Sequence, residues 1–169
     1  MTAAWRSPVA RASAVVLVLL LLGAGPAIAA GPARTEVNWS GLKLAAGTQL
    51  DPARLKGSPV IVVFWATWCG FCERHNARVD RLHRALGGQP QQVLGVAIDG
   101  NAESVGRFVR AKGWTFPVAV DDGSIRRQFT ARRMVPMTCV VDAAGTIGQC
   151  IPGEMSEDDV MALARQTRP

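Results

Sequence analysis

The amino-acid sequence predicts an α/β fold in which helices flank a central mixed β-sheet. Two apolar runs rich in β-branched residues, at 60–65 and 93–98, have the composition of strands buried on both faces. After each run, apolar residues recur at helical spacing. Two further strand-like runs and a last helix close the chain. Strands that alternate with helices, followed by a hairpin and a helix, indicate a mixed α/β sandwich.

The N-terminal half supplies the first elements of this fold. Residues 35–50 mix Trp39 and two leucines with glycine and polar residues, which predicts short strands or a hairpin. Residues 52–57 form a turn or one helical turn. The strand at 60–65 leads to a helix that carries Val79, Leu82 and Leu86 beyond Cys72, and Gly87-Gly88 ends it.

The C-terminal half follows the same alternation. A helix begins near Asn101 and ends at Gly113. Residues 117–120 predict a short edge-like strand, and a helical turn follows at 125–129. Residues 137–141 and 146–151 flank a turn and predict an antiparallel hairpin. Ser156, with Asp159 three residues on, begins the last helix.

The first thirty residues have the pattern of a secretory signal peptide. Arg6 and Arg11 give a positive start, residues 14–22 are apolar, and Ala27-Ile28-Ala29 offers small residues for cleavage. The apolar run is shorter than the about 20 residues of a transmembrane helix, and an uncleaved membrane anchor is the alternative. These features divide the chain into a signal peptide at 1–29, an N-terminal segment at 30–41 and a folded domain at 42–169.

Charge and compartment narrow the function. The chain has 19 Lys and Arg against 13 Asp and Glu, with a formal net charge of +6. The basic residues are scattered among acidic ones without interleaved aromatic residues, so we expect a soluble surface and no nucleic-acid partner. Export predicts a periplasmic location, where disulfides persist.

Two cysteines separated by two residues, Cys69 and Cys72, are the most informative feature of the chain. They lie where the buried strand gives way to a helix, which puts Cys69 beside the free N–H groups and positive dipole end of a helix N-terminus. That environment favours the thiolate, which is the nucleophile in disulfide exchange. Cys72 lies one helical turn later and can close a small disulfide with it. The pair predicts dithiol–disulfide exchange.

Two other interpretations of this pair are weaker. A zinc site needs four ligands, and neither Cys139 nor Cys150 has a second cysteine at ligand spacing, while His75 and His83 lie in the same predicted helix. A purely structural disulfide within one helical turn would close too small a loop to stabilise the fold much. We therefore expect no metal site and no cofactor beyond the redox-active disulfide itself.

The motifs around these cysteines resemble the thioredoxin fold and, within it, the exported TlpA/ResA group. The resemblance runs from about residue 42 to 164. It is carried by Phe64-Trp65-Ala66-Thr67-Trp68-Cys69, Leu94-Gly95-Val96-Ala97-Ile98-Asp99, Gly113-Trp114-Thr115-Phe116-Pro117-Val118, and Val135-Pro136 followed by Thr138 and Val140-Val141-Asp142. It implies a thioredoxin-like fold with an N-terminal β-hairpin and the insert typical of the TlpA group.

The resemblance also implies residue roles. Cys69 would be the attacking thiol and Cys72 the resolving one. A cis bond before Pro136 would hold the Val135 backbone beside the sulfurs, where an extended substrate segment docks; an ordinary strand-start proline is the alternative. Trp68, if exposed, would shape the docking surface, and otherwise it packs.

The sequence departs from the family pattern at several positions near the cysteines. Val63 occupies the place of the buried acid of thioredoxin, and Ala77 replaces a proline of the first helix. Gly70-Phe71 between the cysteines lacks both the usual proline and any cation. His75 stands where some members have a glutamate; it either assists proton transfer near Cys72 or is a partly exposed helix residue.

Cys139 and Cys150 lie on the two arms of the predicted hairpin. If Asp142 faces Ile147, these cysteines are directly opposite each other and close enough for a cross-strand disulfide. The oxidising compartment favours such a structural bridge. Two buried thiols that pack as small apolar residues are the second interpretation, and a redox relay is the third.

Together these features predict an exported thiol–disulfide oxidoreductase that reduces particular protein disulfides. Family resemblance implies extracytoplasmic substrates in cytochrome c maturation or copper-site assembly, and a membrane electron donor of the DsbD or CcdA kind. A disulfide donor of the DsbA kind is one alternative, although Gly70-Phe71 supplies no cation to destabilise the disulfide. A Cu(I)-binding chaperone that uses Cys69 and Cys72 is the other.

Overall fold

The computed structural model describes residues 36–48, 50–87, 92–130 and 134–166. The predicted signal peptide at 1–29 lies outside the described residues, as does the first part of the segment at 30–41. The strands of the described part are β1 (Lys43–Leu44), β2 (Val60–Trp65), β3 (Val93–Ala97), β4 (Val118–Val120), β5 (Met137–Val141) and β6 (Ile147–Pro152). The α-helices are α1 (Gly70–Ala85), α2 (Ala102–Lys112), α3 (Arg126–Phe129) and α4 (Glu157–Ala162), and short 3₁₀ helices lie at Pro52–Leu55 and Leu163–Gln166.

The strands form one mixed sheet in the order β1-β4-β3-β2-β5-β6. The three central strands β2, β3 and β4 are parallel, while β5 pairs antiparallel with β2 and β6 antiparallel with β5. This arrangement confirms the predicted α/β class. It also places the start of β5 beside the end of β2, because Phe64 pairs with Met137.

Of the short strands or hairpin predicted for residues 35–50, the described residues form short strand pairings and not the hairpin. Strand β1 pairs antiparallel with β4, so that Lys43 lies opposite Val120, and Glu36 forms an isolated bridge with Thr146. From residue 36 onward the chain instead packs on the sheet, where Val37 and Trp39 are buried. As a result β4, expected near an edge, is covered by β1.

The sheet separates two hydrophobic layers. All six residues of β2 are buried, and their side chains alternate between the layers. Ile61, Val63 and Trp65 pack with α1, α2 and α4. Val60, Val62 and Phe64 pack on the other face with the N-terminal segment and α3. The alternation on β5 accordingly sends neighbouring side chains to opposite faces.

Local signals fix the helix ends. Helix α1 begins at Gly70 with Cys69 as its N-cap, before the predicted apolar spacing starts. Asn101 and Ser104 cap α2 reciprocally, and Gly113 ends it in a left-handed conformation with φ of 67°. The Ser156 hydroxyl accepts the N–H of Asp159 at the start of α4. These boundaries confirm the predicted α2 and α4.

Among the described residues, none of the helices is both long and apolar enough to cross a membrane.

Candidate active site

Cys69 and Cys72 lie at the junction of β2 and α1 and are joined by a disulfide, with Cα atoms 5.2 Å apart. The backbone N–H of Cys72 donates to the Cys69 Sγ at 3.1 Å, as a helix N-cap bond does. Cys69 keeps 8% of its surface exposed, whereas Cys72 is 0% exposed. A substrate can therefore reach Cys69, and Cys72 is placed to act on Cys69 from inside.

An apolar rim surrounds the exposed end of the disulfide. Trp68 is 71% exposed, Phe71 is 62% exposed, and Met134 is 42% exposed. The guanidinium of Arg74 lies 4.8 Å from the centre of the Phe71 ring. Of the two roles considered for Trp68, this exposure favours the docking surface over packing, and Gly70 between the rim residues is also exposed.

The peptide bond between Val135 and Pro136 is cis. Because β5 runs antiparallel to β2, this segment lies next to the chain that leads to Cys69. The carbonyl of Pro136 accepts the N–H of Gly153 at 2.8 Å. Within the part of the chain that the structure describes, the backbone N–H and C=O of Val135 make no hydrogen bond. Both groups are available to an incoming strand.

His75 is completely buried, in contrast to the partly exposed residue considered from the sequence. Its Nε2 lies 2.9 Å from the Thr138 Oγ1, and its Nδ1 accepts the N–H of Met155 at 3.3 Å. Since Nδ1 accepts, the proton of the neutral ring is on Nε2, which donates to Thr138. His75 thus joins α1 to β5 and to the loop after β6.

Burial also sets the charge of this histidine. Desolvation, reinforced by the nearby Arg78 cation, lowers the pKa of His75 to about 4. The ring is therefore neutral near pH 7, with both nitrogens engaged. Any proton transfer through His75 passes by way of the Thr138 hydroxyl or requires one of these bonds to open.

Asp99 is a site residue that was not predicted from the sequence. Its carboxylate accepts the Thr67 N–H at 2.9 Å and the Thr67 hydroxyl at 2.5 Å, which ties the turn before Cys69 to the end of β3. The sequence signal was a charged residue directly after a buried strand. Its partner lies 32 residues away, so no local pattern connects the two.

Glu154 is a second such residue, in the loop after β6. It binds Arg74 at 2.8 Å and Arg78 at 2.5 Å, both on α1. The hydrogen bonds from these guanidinium groups hold the pKa of Glu154 below its ordinary value. Arg78 also donates to the Met155 carbonyl at 3.1 Å. The loop that contacts His75 and Pro136 is therefore fastened to the helix that carries Cys72.

Cys139 and Cys150 are bonded to each other across β5 and β6, with Cα atoms 4.1 Å apart. They are directly opposite in the ladder, but the expected pairing of Asp142 with Ile147 is wrong. Val141 pairs with Ile147 instead, because a bulge shifts the register between Cys139 and Val141. The Cys139 side chain belongs to the layer opposite Cys72.

In the described ranges there is no cluster of three or more His, Cys, Asp or Glu side chains that could hold a metal ion.

The geometry can be compared with known proteins. Residues 37–150 match the model of the AhpC/TSA family. The chain is 28% identical to the thiol-disulfide oxidoreductase ResA of Geobacillus kaustophilus over 115 residues. These residues are 68% of this chain and 66% of the relative. Over 166 residues the chain is 25% identical to ResA of Geobacillus thermodenitrificans, with 92% and 94% covered.

Solved structures agree on the fold. StoA from Bacillus subtilis superposes with a TM-score of 0.56 at 20% identity, covering 64% of this chain and 84% of that one. A secreted Mycobacterium tuberculosis disulfide oxidoreductase homologous to Escherichia coli DsbE gives 0.60 at 23% identity, with 72% and 90% covered. The chain thus belongs to the AhpC/TSA family of the thioredoxin superfamily and is a thiol–disulfide oxidoreductase of the ResA type, with Cys69 and Cys72 as its CxxC pair.

Proposed function

We propose that this protein is an exported reductase of specific extracytoplasmic disulfides, of the kind needed in cytochrome c maturation or copper-site assembly. The Cys69 thiolate attacks one sulfur of the substrate disulfide, forms a mixed disulfide and releases the other sulfur as a thiolate. The Cys72 thiolate then attacks Cys69, which releases the second substrate thiolate. Two electrons pass to the substrate, whose thiolates take up two protons, and the enzyme is left oxidised.

The charge around the cysteines carries the proposed direction. A strong oxidant has a highly stabilised reduced form, which a cation beside the thiolate provides. Between the cysteines stand only Gly70 and Phe71. The nearest cation along α1, Arg74, is held by Glu154. The Cys72 N–H and the helix N-terminus stabilise the Cys69 thiolate, but without a further cation the reduced form is less stabilised than in a strong oxidant, which favours a reducing couple.

The rim around Cys69 supports a protein substrate. An extended segment can pair with the Val135 backbone as an added strand, since its N–H and C=O have no partner in the described part of the chain. Trp68, Phe71 and Met134 offer exposed apolar surface to side chains of that segment. The backbone contact would give affinity, and the apolar contacts would select among substrates.

Export and electron supply complete the proposal. The pattern at residues 1–29 supports secretion to the periplasm, with a membrane anchor if the signal stays uncleaved. Outside the cytoplasm no thiol pool regenerates the Cys69–Cys72 dithiol. A membrane thiol-electron donor of the DsbD or CcdA type would reduce the disulfide after each turnover. Fractionation of cells that express the full chain tests the location.

The decisive measurement is the equilibrium reduction potential of the Cys69–Cys72 couple, with Cys139 and Cys150 followed separately by mass after thiol labelling. We expect a value near that of thioredoxin, about −270 mV, because no free cation stabilises the thiolate in the described site. A value near −120 mV would overturn the proposed direction and make the protein a disulfide donor.

A further inference from the structure

Asn76 is a buried polar residue that the fold does not explain. It lies on α1, and none of its surface is exposed. Neither its Oδ1 nor its Nδ2 has a hydrogen-bond partner among the described residues. A buried amide without partners costs about 1–3 kcal/mol, so such a side chain calls for an explanation beyond packing.

Helix geometry places the Asn76 amide close to the resolving cysteine. Residues four apart on a helix are neighbours, with Cβ atoms about 5–6 Å apart. Helical side chains also lean toward the N-terminus, so each covers the turn before its own Cα. Asn76 follows Cys72 by one such turn, on the same buried face of α1. Its amide therefore lies over the turn that carries the Cys72 sulfur.

The other polar side chains near Cys72 on α1 are already in use. Both ring nitrogens of His75 are engaged, by Thr138 and by Met155. The position of the buried acid in thioredoxin is Val63 here. On the outer side of the same turn, Glu73 is paired with Lys112. Asn76 is left as the side chain of this part of α1 with unused hydrogen-bonding capacity.

We propose that Asn76 is a positioning residue that hydrogen-bonds the Cys72 Sγ once the disulfide opens. Reduction breaks the bond between the two sulfurs and adds two electrons and two protons, which leaves Cys72 as a buried thiol or thiolate. The Asn76 Nδ2 can donate to a thiolate, and its Oδ1 can accept from a thiol. Either bond stabilises the reduced enzyme and orients Cys72 for attack on Cys69. The inference rests on exchange at Cys69–Cys72 and is independent of the direction in which the protein works.

The test compares the reduction potential of the full chain with that of the Asn76→Leu variant in glutathione buffers. Leucine keeps the volume and removes both hydrogen-bonding atoms, so the variant should fold at least as stably as the parent. We expect the equilibrium constant to shift about tenfold toward the disulfide, a potential lower by about 30 mV. Rapid-mixing kinetics should also show slower release of the mixed disulfide at Cys69.

His83→Leu is the matched control. His83 is also buried on α1 and its Nδ1 has no partner in the described part of the chain, but it lies about two turns beyond Asn76. Its replacement should leave the potential unchanged. The proposal fails if Asn76→Leu alters only the melting temperature, or if both variants shift the potential equally. A parent whose Cys69–Cys72 couple does not equilibrate with glutathione would instead contradict the exchange activity itself.

Discussion

The two disulfides of this protein have the same covalent bond and opposite surroundings. Cys69 and Cys72 cap a helix, next to an exposed apolar rim and the cis bond at Pro136. Cys139 and Cys150 join two neighbouring strands, and the Cys139 side chain lies in the layer on the other side of the sheet. The first sulfur pair lies at the N-terminus of α1, whereas the second joins paired residues of β5 and β6. The reactivity of each disulfide is therefore set by what surrounds its sulfurs.

Loss of the attacking sulfur should have the largest effect. In the Cys69→Ser variant we expect insulin reduction to fall by roughly 10³-fold or more, because serine at this position is a far weaker nucleophile. The Cys139→Ser variant should lose stability and keep most of its activity. Equal loss of turnover in both variants would instead show that the second pair takes part in catalysis.

The second pair should act on stability alone. Cys139 and Cys150 are 11 residues apart in sequence, and closing a loop of this size stabilises a fold by about 3 kcal/mol. We expect the Cys139→Val, Cys150→Val double variant to lose about that much in urea unfolding. Its Cys69–Cys72 potential should match the parent value, since the sheet separates the pairs. A changed potential would show that the two pairs communicate.

Titration of His75 should make the free energy of unfolding depend on pH. The pKa is about 4 in the folded protein and about 6.5 when unfolded, so the unfolded chain binds the proton first as pH falls. The free energy of unfolding should therefore fall between pH 6.5 and 4, by up to about 3 kcal/mol, and level off below pH 4. Urea titrations of the parent and His75→Leu should differ by this slope.

The Cys139→Val, Cys150→Val double variant provides the control for that slope. If the slope arises from His75, it should persist in this variant, which lacks the Cys139–Cys150 bond. Parallel pH profiles for the parent and His75→Leu would contradict the assignment of the titration to His75.

Two aspartates offer a matched pair with a smaller effect. Asp99 accepts the Thr67 N–H next to the first disulfide, and Asp142 accepts the Thr146 N–H in the turn beyond the second. Asp99→Ala should slow insulin reduction about tenfold, because the turn before Cys69 loses an acceptor worth about 1–3 kcal/mol. Asp142→Ala should lower the melting temperature and leave the rate unchanged. A rate loss in both variants would remove the distinction between the two surroundings.

Which features could be predicted from the sequence depended on how far apart in the chain the interacting residues are. The strands β2 and β3 and the caps at Asn101 and Ser156 were predictable because their signals are local. The positions of Cys69 and Cys72 could be predicted because a buried strand, two cysteines separated by two residues and a helix follow one another directly in the sequence. The fold class was correct for the same reason.

What escaped prediction depends on contacts between distant residues. The burial of His75 follows from partners 63 and 80 residues away, which helical periodicity does not reveal. The expected N-terminal hairpin gave way to pairing with β4 because Trp39 is held in the core. The register beyond Cys139 changed because one extra residue on β6 forms a bulge, and a bulge leaves no mark in the hydrophobic pattern.

The loop after β6 has a consequence for how the enzyme matures. The Gly153 N–H donates to the Pro136 carbonyl, and the Met155 N–H donates to the His75 Nδ1. Met155 lies 80 residues after His75 in the sequence. During synthesis from the N-terminus, both reactive cysteines are therefore made well before the residues that complete their surroundings. A truncated product ending at Cys150 would retain all four cysteines and lack these supports. The loop after β6 must therefore be in place before the surroundings of the two cysteines are assembled.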